Sequence, residues 1–131
     1  MDFRTLLATE LARRTARNPR YSMRAFAREL GTAHSTVSRV VNGGGRLTAP
    51  CITALGTRLG LSRHEVAGAV LHANVDRLVR LVRRADFTPD ARWIATRSGL
   101  TLNDVQVALH YLIYSRRLVM RSATTWTLEP A

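Results

Sequence analysis

Apolar residues recur at intervals of three and four along most of the chain, and glycine or proline interrupts this pattern repeatedly. The spacing matches an amphipathic α-helix, which completes one turn every 3.6 residues. Because glycine and proline end helices, each uninterrupted run predicts one short helix. The alternation of apolar and polar residues that is typical of a β-strand first occurs near the C-terminus. The sequence therefore predicts an all-α protein with a short C-terminal β-hairpin.

The first half of the chain predicts five short helices. The expected breaks are Pro19, Gly31, the glycine run 43–45 and Gly60, and the expected N-caps are Ser22, Thr48 and Ser62. Short amphipathic helices can bury their apolar faces only against one another. Residues 1–73 are therefore expected to form one compact bundle.

A second unit, residues 74–131, is predicted to begin with a new helix capped by Asn74. Thr101 is expected to cap a later, longer helix, and two short strands are expected at 119–121 and 125–128. The order of helix, helix, turn, helix and hairpin is that of a winged helix. The residues of this unit expected to face inward are Val75, Leu78, Val79, Val82, Val105, Leu109, Leu112 and Ile113.

The charge of the chain indicates the class of its partner. All 20 basic residues are arginine, and with 9 acidic residues the formal net charge is +11. Residues 1–73 contain 11 arginines and 4 acids, and residues 74–131 contain 9 arginines and 5 acids. Such an excess favours an anionic partner: nucleic acid first, an acidic protein or a membrane surface second.

The segment 22–42, "SMRAFARELGTAHSTVSRVVN", predicts two helices joined by a tight turn. Gly31 lies at the corner, and the small Ala27 lets the two helices approach closely. The second helix, at about 34–42, is then expected to project its polar side outward, as a recognition helix does in the DNA major groove. Arg39 can form a two-pronged hydrogen bond to guanine.

This segment resembles the helix-turn-helix of bacterial repressors, and "TVSRVVN" is very similar to the recognition helix of the lactose-repressor family. The downstream "NGGGRLTAPCITALGTRLGLS" looks like the five-helix domain of phage Cro and repressor proteins, which is the fold that we expect for residues 1–73. The resemblance implies base contacts by His34, Ser35 and Arg39. It implies phosphate contacts by Ser22, Arg24, Thr36, Ser38, Asn42 and Arg46.

The second half, "TPDARWIATRSGLTLNDVQVALHYLIYSRRLVMR", resembles the winged-helix segment of a large family of bacterial transcriptional regulators. In that family the winged-helix segment follows a Cro-type domain that contains a sequence similar to "NPRYSMRAFAREL". Members continue well past the wing, whereas this sequence stops at Ala131, so no function of such an extension is carried over. The helix after Thr101 is expected to expose Asn103, Asp104, Gln106 and His110, and a carboxylate repels phosphate. We therefore expect this unit to form a homodimer or to contact a protein partner, with an auxiliary DNA contact from Arg121 in the wing.

Other signals in the sequence are weak. The four histidines lack the spacing of a metal site, and "NGGGR" lacks the lysine of a phosphate-binding loop. Cys51 has two interpretations, a buried inert thiol or, less favoured, a redox-sensitive thiol activated by a helix N-terminus. No set of nucleophile, base and acid is present. We therefore expect no enzyme activity, no cofactor and no metal.

The sequence also bears on location. The chain lacks an apolar run long enough for a membrane span and lacks a signal peptide, and its single cysteine fits a reducing compartment. A cytoplasmic, nucleoid-associated bacterial protein that does not bind membranes is expected.

These observations favour a sequence-specific regulator that binds double-stranded DNA as a homodimer. Two alternatives remain open. One is a protein-interaction adaptor, similar to an antitoxin or a phage factor, that uses the same folds to hold a protein partner. The other is an RNA-binding or nucleoid-coating protein without sequence preference, against which the turn geometry of residues 22–42 argues.

Overall fold

The computed structural model of the protein describes residues 2–44 and 47–129. Within these residues, seven helices precede one antiparallel hairpin, which confirms the prediction of a mainly helical chain. The elements are α1 (Phe3–Arg17), α2 (Met23–Glu29), α3 (His34–Val41), α4 (Ala49–Arg58), α5 (Arg63–Val82), α6 (Ala91–Ser98), α7 (Leu102–Tyr114), β1 (Leu118–Met120) and β2 (Trp126–Leu128).

The chain divides into two compact units, residues 1–73 and 74–131. Over the described part of the chain, no helix is both long enough and apolar enough to cross a membrane.

Local signals start and stop the helices of the first unit. The Ser22 hydroxyl accepts a hydrogen bond from the Ala25 backbone N–H at 3.1 Å, and Thr48 caps α4 in the same way. Ser62 and Glu65 form a reciprocal capping box at the start of α5, with bonds of 3.0 and 3.1 Å. These contacts confirm all three predicted caps.

One apolar core holds the first unit together. Phe26 is fully buried, and Tyr21 packs against its ring edge to face at 6.4 Å between centroids. Burial of each large side chain contributes about 1.5–3 kcal/mol. The buried members are Phe3, Leu7, Phe26, Ala27, Leu30, Val37, Val40, Ile52, Leu55 and Ala69.

The predicted break at Asn74 is wrong. α5 continues without interruption from Arg63 to Val82, and Asn74 is buried inside it, with 7% of its surface exposed. Asparagine caps a helix only where the preceding chain is not helical, and the preceding Leu71, His72 and Ala73 are compatible with a helix. The boundary between the two units therefore falls within a continuous helix.

The second unit contains the end of α5, helices α6 and α7, and the hairpin. Asp90 and Thr101 cap α6 and α7, and the latter confirms the prediction. The hairpin pairs Leu118 with Leu128 and Met120 with Trp126. Its first strand begins one residue earlier than predicted and its second strand one residue later.

The core of this unit contains most of the residues expected to face inward, including Val105, Leu109 and Leu112. Ile113 is an exception, because 37% of its surface is exposed. It lies instead beside Leu118 and Met120 in a shallow groove.

Candidate nucleic-acid interface

The turn between α2 and α3 sets the position of α3. Gly31 has a φ of 69°, and the Thr32 N–H donates back to the Ala27 carbonyl at 3.0 Å. A side chain at Gly31 would be strained at this φ, and its Cβ would lie 3.1 Å from the Arg58 guanidinium. Glycine is therefore required at this corner, as the sequence predicted.

α3 attaches to the core through one side only. Val37 and Val40 are buried, and Val41 is half-buried. On the other side of the helix, Ser35, Arg39 and Asn42 are exposed. Because residues three and four apart share a helix face, these three side chains form one polar outward surface.

The remaining predicted base and phosphate contacts on α3 lie beside this surface. His34 is exposed at the start of the helix, and Thr36 and Ser38 are half-buried on its two flanks. The Asn42 side-chain amide donates to the Ser38 hydroxyl at 3.3 Å. This bond joins two of the six predicted phosphate-binding side chains.

The start of α3 is not capped by a side chain, because the N-cap position is occupied by Ala33. Helix N-termini carry backbone N–H groups without an intrahelical acceptor and a partial positive charge. The first turn of α3 thus suits a phosphate oxygen.

Two further predicted phosphate contacts lie at the start of α2. Ser22 and Arg24 are both exposed. The Ser22 hydroxyl already accepts the capping hydrogen bond, and a hydroxyl in that role can still donate its own proton. Arg46, the remaining predicted phosphate contact, lies outside the described residues.

Arg4 was missed by the sequence analysis, although it holds the end of α3. Its guanidinium donates to the Val40 carbonyl at 3.1 Å and to the Gly44 carbonyl at 2.9 Å. A cation at this position also opposes the negative end of the helix dipole. Nothing local in the sequence connects Arg4 to partners about 40 residues away.

The charge around α3 is of one sign. No acidic residue occurs between Glu29 and Glu65, an interval that contains Arg39, Arg46 and Arg58. A phosphate backbone that approaches α3 therefore meets no carboxylate on α3, on α4 or in their connection.

Two carboxylates of the neighbouring helices, Glu10 on α1 and Glu29 on α2, are paired with arginine. Arg14 pairs with both Glu10 and Glu29, and Tyr21 donates to Glu29 at 2.8 Å. Hydrogen bonds from Arg13 and Arg14 lower the pKa of Glu10 to about 2. This network joins α1 to α2 and compensates Glu29, the acid at the N-terminal end of the interval.

In the second unit, the wing arginine is already engaged. Arg121 donates to the Thr127 hydroxyl at 3.2 Å and to the Glu129 carboxylate at 3.0 Å. Both bonds are exposed, and exposed ion pairs are weak enough for a phosphate to compete with them. Asn103, Gln106 and His110 are exposed on α7, whereas Asp104 is half-buried.

The minor candidates offer little chemistry. Burial raises the pKa of the Cys51 thiol, against a smaller lowering effect of Arg4, which favours the inert-thiol interpretation. Within residues 2–44 and 47–129, no group of three or more metal-binding side chains is present.

Comparisons with protein-family models, curated proteins and solved structures gave no significant match.

Proposed function

We propose that this protein is a sequence-specific transcriptional regulator that binds double-stranded DNA as a homodimer. In this proposal, residues 1–73 are a five-helix domain of the Cro and phage-repressor kind. Helices α2 and α3 are its helix-turn-helix, and α3 enters the major groove.

One observation carries the proposal. α3 is held by Val37 and Val40 on one side and exposes Ser35, Arg39 and Asn42 on the other. Val37 and Val40 anchor α3 in the core and thereby hold its polar side in a fixed position. A rigid polar side of this kind suits the edges of base pairs. The absence of acids between Glu29 and Glu65 makes this side compatible with DNA.

We assign three roles to the surrounding side chains. Arg39 binds guanine through both prongs of its guanidinium, which discriminates against other bases by about 1–3 kcal/mol. His34 and Ser35 contact neighbouring base edges. The phosphate contacts come from Ser22, Arg24, Thr36, Ser38, Asn42 and Arg46, which fix the register of α3 on the duplex.

The second unit, in this proposal, is a winged helix whose main role is to join two copies of the chain. A two-fold dimer doubles the number of half-sites and matches a palindromic operator. Arg121 adds an auxiliary phosphate contact when it exchanges Glu129 for DNA.

The test is selection of the purified protein against a randomised duplex library at physiological salt. Arg39→Ala is selected in parallel, and Arg92→Ala on α6 provides the control with the same loss of charge. We expect a two-fold motif that Arg92→Ala retains and Arg39→Ala loses at one position of each half-site. If Arg39→Ala selects the same motif as the wild type, α3 is not the element that reads the sequence.

A protein-interaction adaptor is the second candidate, and the exposed apolar side of α7 favours it. Tyr114 is 85% exposed and Tyr111 and Val107 are each 48% exposed, more than a DNA contact alone requires. An adaptor would bind its protein partner equally well with Arg39→Ala and would enrich no duplex sequence.

A further inference from the structure

The side of α7 that faces away from the core has a regular composition. Val105, Ala108, Leu109 and Leu112 are buried. The opposite side presents Asn103, Val107, His110 and Tyr114, all exposed. We call these four residues the α7 seam.

The α7 seam has the spacing of a helix-pairing surface. Its members are separated by four, three and four residues, the alternation that keeps side chains in line along two paired helices. His110 and Tyr114 contact each other ring edge to ring face, with their centroids 6.3 Å apart. Tyr111, which is 48% exposed, widens the surface on one flank. Over three turns the helix therefore presents the apolar Val107, Tyr111 and Tyr114 together with the uncharged amide of Asn103 and the His110 ring.

The charge around the seam identifies what covers it. No arginine occurs between Arg97 and Arg116, and Asp104 is the only acidic residue of α7. DNA or an acidic protein would select a surface that contains arginine. A second copy of this chain carries the same net charge of +11, so repulsion between two copies is weakest where both lack arginine.

We propose that the α7 seam pairs with the same seam of a second copy, antiparallel, about a two-fold axis that passes beside Ala108 and Leu109. The seam is symmetric about this point, because Asn103 and Tyr114 lie equally far from it, as do Val107 and His110. A two-fold axis therefore places Asn103 of each copy opposite Tyr114 of the other, and Val107 opposite His110. The proposed DNA-binding function enters this proposal only as the reason for pairing, because a dimer aligns two half-sites.

The test is sedimentation equilibrium of the full-length protein without DNA. Tyr114→Arg and Val107→Arg each place a guanidinium in the seam, and because both residues are exposed, the fold tolerates the change. We expect the wild type to be a dimer at micromolar concentration and each variant to raise the dimer dissociation constant at least about tenfold. Thr88→Arg adds the same charge in the exposed connection between α5 and α6, and should leave the dimer intact.

A double variant tests the antiparallel register. Asn103→Glu added to Tyr114→Arg should recover much of the lost association, because each introduced carboxylate faces an introduced guanidinium of the other copy. Within one copy the two positions are three turns apart, about 16 Å along the helix, so they cannot neutralise each other directly. Recovery supports antiparallel pairing, and absence of recovery overturns it.

Other outcomes are equally decisive. A wild type that stays monomeric from micromolar to millimolar concentration, or dimers that survive both single substitutions, would overturn the pairing of the seam. If the pairing is right and the proposed DNA-binding function is wrong, the results differ. The duplex selection would then enrich nothing, while Tyr114→Arg would still weaken the dimer.

Discussion

Helices α3 and α7 each follow a shorter helix across a turn that contains a glycine with positive φ, Gly31 at 69° and Gly99 at 74°. Each unit also uses an arginine to satisfy the carboxyl end of a helix. Arg4 donates to carbonyls at the end of α3, and Arg77 donates to the Ser98 carbonyl at the end of α6. The two helix pairs are thus fixed by similar devices.

What the two helices present to solvent differs. α3 lies in an interval without acidic residues and exposes Arg39, whereas α7 lies in an interval without arginine and exposes Val107 and Tyr114. The first turn of α7 is closed by the Thr101 hydroxyl, whereas the first turn of α3 has no side-chain cap. Two helix pairs with similar turns therefore carry two surface chemistries, one suited to a polyanion and the other to an uncharged protein surface.

Core substitutions should give the largest effects. They show whether the stability of the α2–α3 pair and that of the α6–α7 pair depend on burial to the same extent. Phe26→Ala should lower the free energy of unfolding by about 3–5 kcal/mol, and Leu112→Ala by about 2–5 kcal/mol, because each removes a side chain with no exposed surface. Urea unfolding followed by circular dichroism measures both. A loss below about 1 kcal/mol for Phe26→Ala would contradict the core described for α2 and α3.

Arginine substitutions should separate base contacts from phosphate contacts on the first unit. Arg39→Ala should reduce the preference for the selected site over random duplex by about 10- to 100-fold, since it removes the two-pronged base contact that we propose. Arg24→Ala should weaken binding to both duplexes equally and lower the salt dependence by about one phosphate contact. Titration of both duplexes at several salt concentrations distinguishes the two patterns, and equal losses on both duplexes for Arg39→Ala would exclude a base contact.

Substitution of the two turn glycines should test whether only one pair reaches DNA. Gly31→Ala and Gly99→Ala each force an L side chain into the left-handed region, which costs about 1–2 kcal/mol of stability. Gly31→Ala should also weaken DNA binding, because the turn orients α3. Thermal unfolding together with DNA titration measures both effects, and a stronger DNA defect in Gly99→Ala would reverse the assignment of the two pairs.

The ion pairs that Glu10 forms with Arg13 and Arg14 within α1 should give the smallest effect. The pKa of Glu10 falls from 4.5 to about 2 on folding, so its contribution to stability is complete above pH 4.5 and is lost as the pH falls towards 2. Because the pair is partly exposed, Glu10→Gln should cost at most about 1 kcal/mol at pH 7. Urea unfolding at pH 7 and pH 2 should show that the difference between wild type and variant disappears at the lower pH. A constant difference would mean that Glu10 acts through packing.

The parts of the fold that the sequence predicted depend on signals within one turn of a helix. Ser22, Gly31 and Thr101 specify their caps and corners from their own chemistry, and the structure contains each of them as expected. Asn74 carries the same local signal as a cap, but the surrounding helix overrides it. Local propensity cannot decide between these outcomes, because tertiary burial does.

The candidate site was predictable to the same extent. The polar outward side of α3 follows from helical spacing, so the exposure of His34, Ser35 and Arg39 was accessible from the sequence. The contact of Arg4 with Gly44 was not, since it depends on how α1 packs against the end of α3. The exposure of Ile113 was missed for a related reason, because the hairpin covers only part of α7.

The aromatic cluster of the second unit has a practical consequence. Phe87 lies 5.7 Å from Trp93 and 5.8 Å from Trp126, measured between ring centroids, and these are the two tryptophans of the chain. Light absorbed selectively by indole is therefore re-emitted only from residues 74–131. The protein carries an intrinsic optical probe of one unit. A shift in indole emission that DNA causes in the wild type and still causes in Arg121→Ala would report that an event in residues 1–73 had reached the other unit.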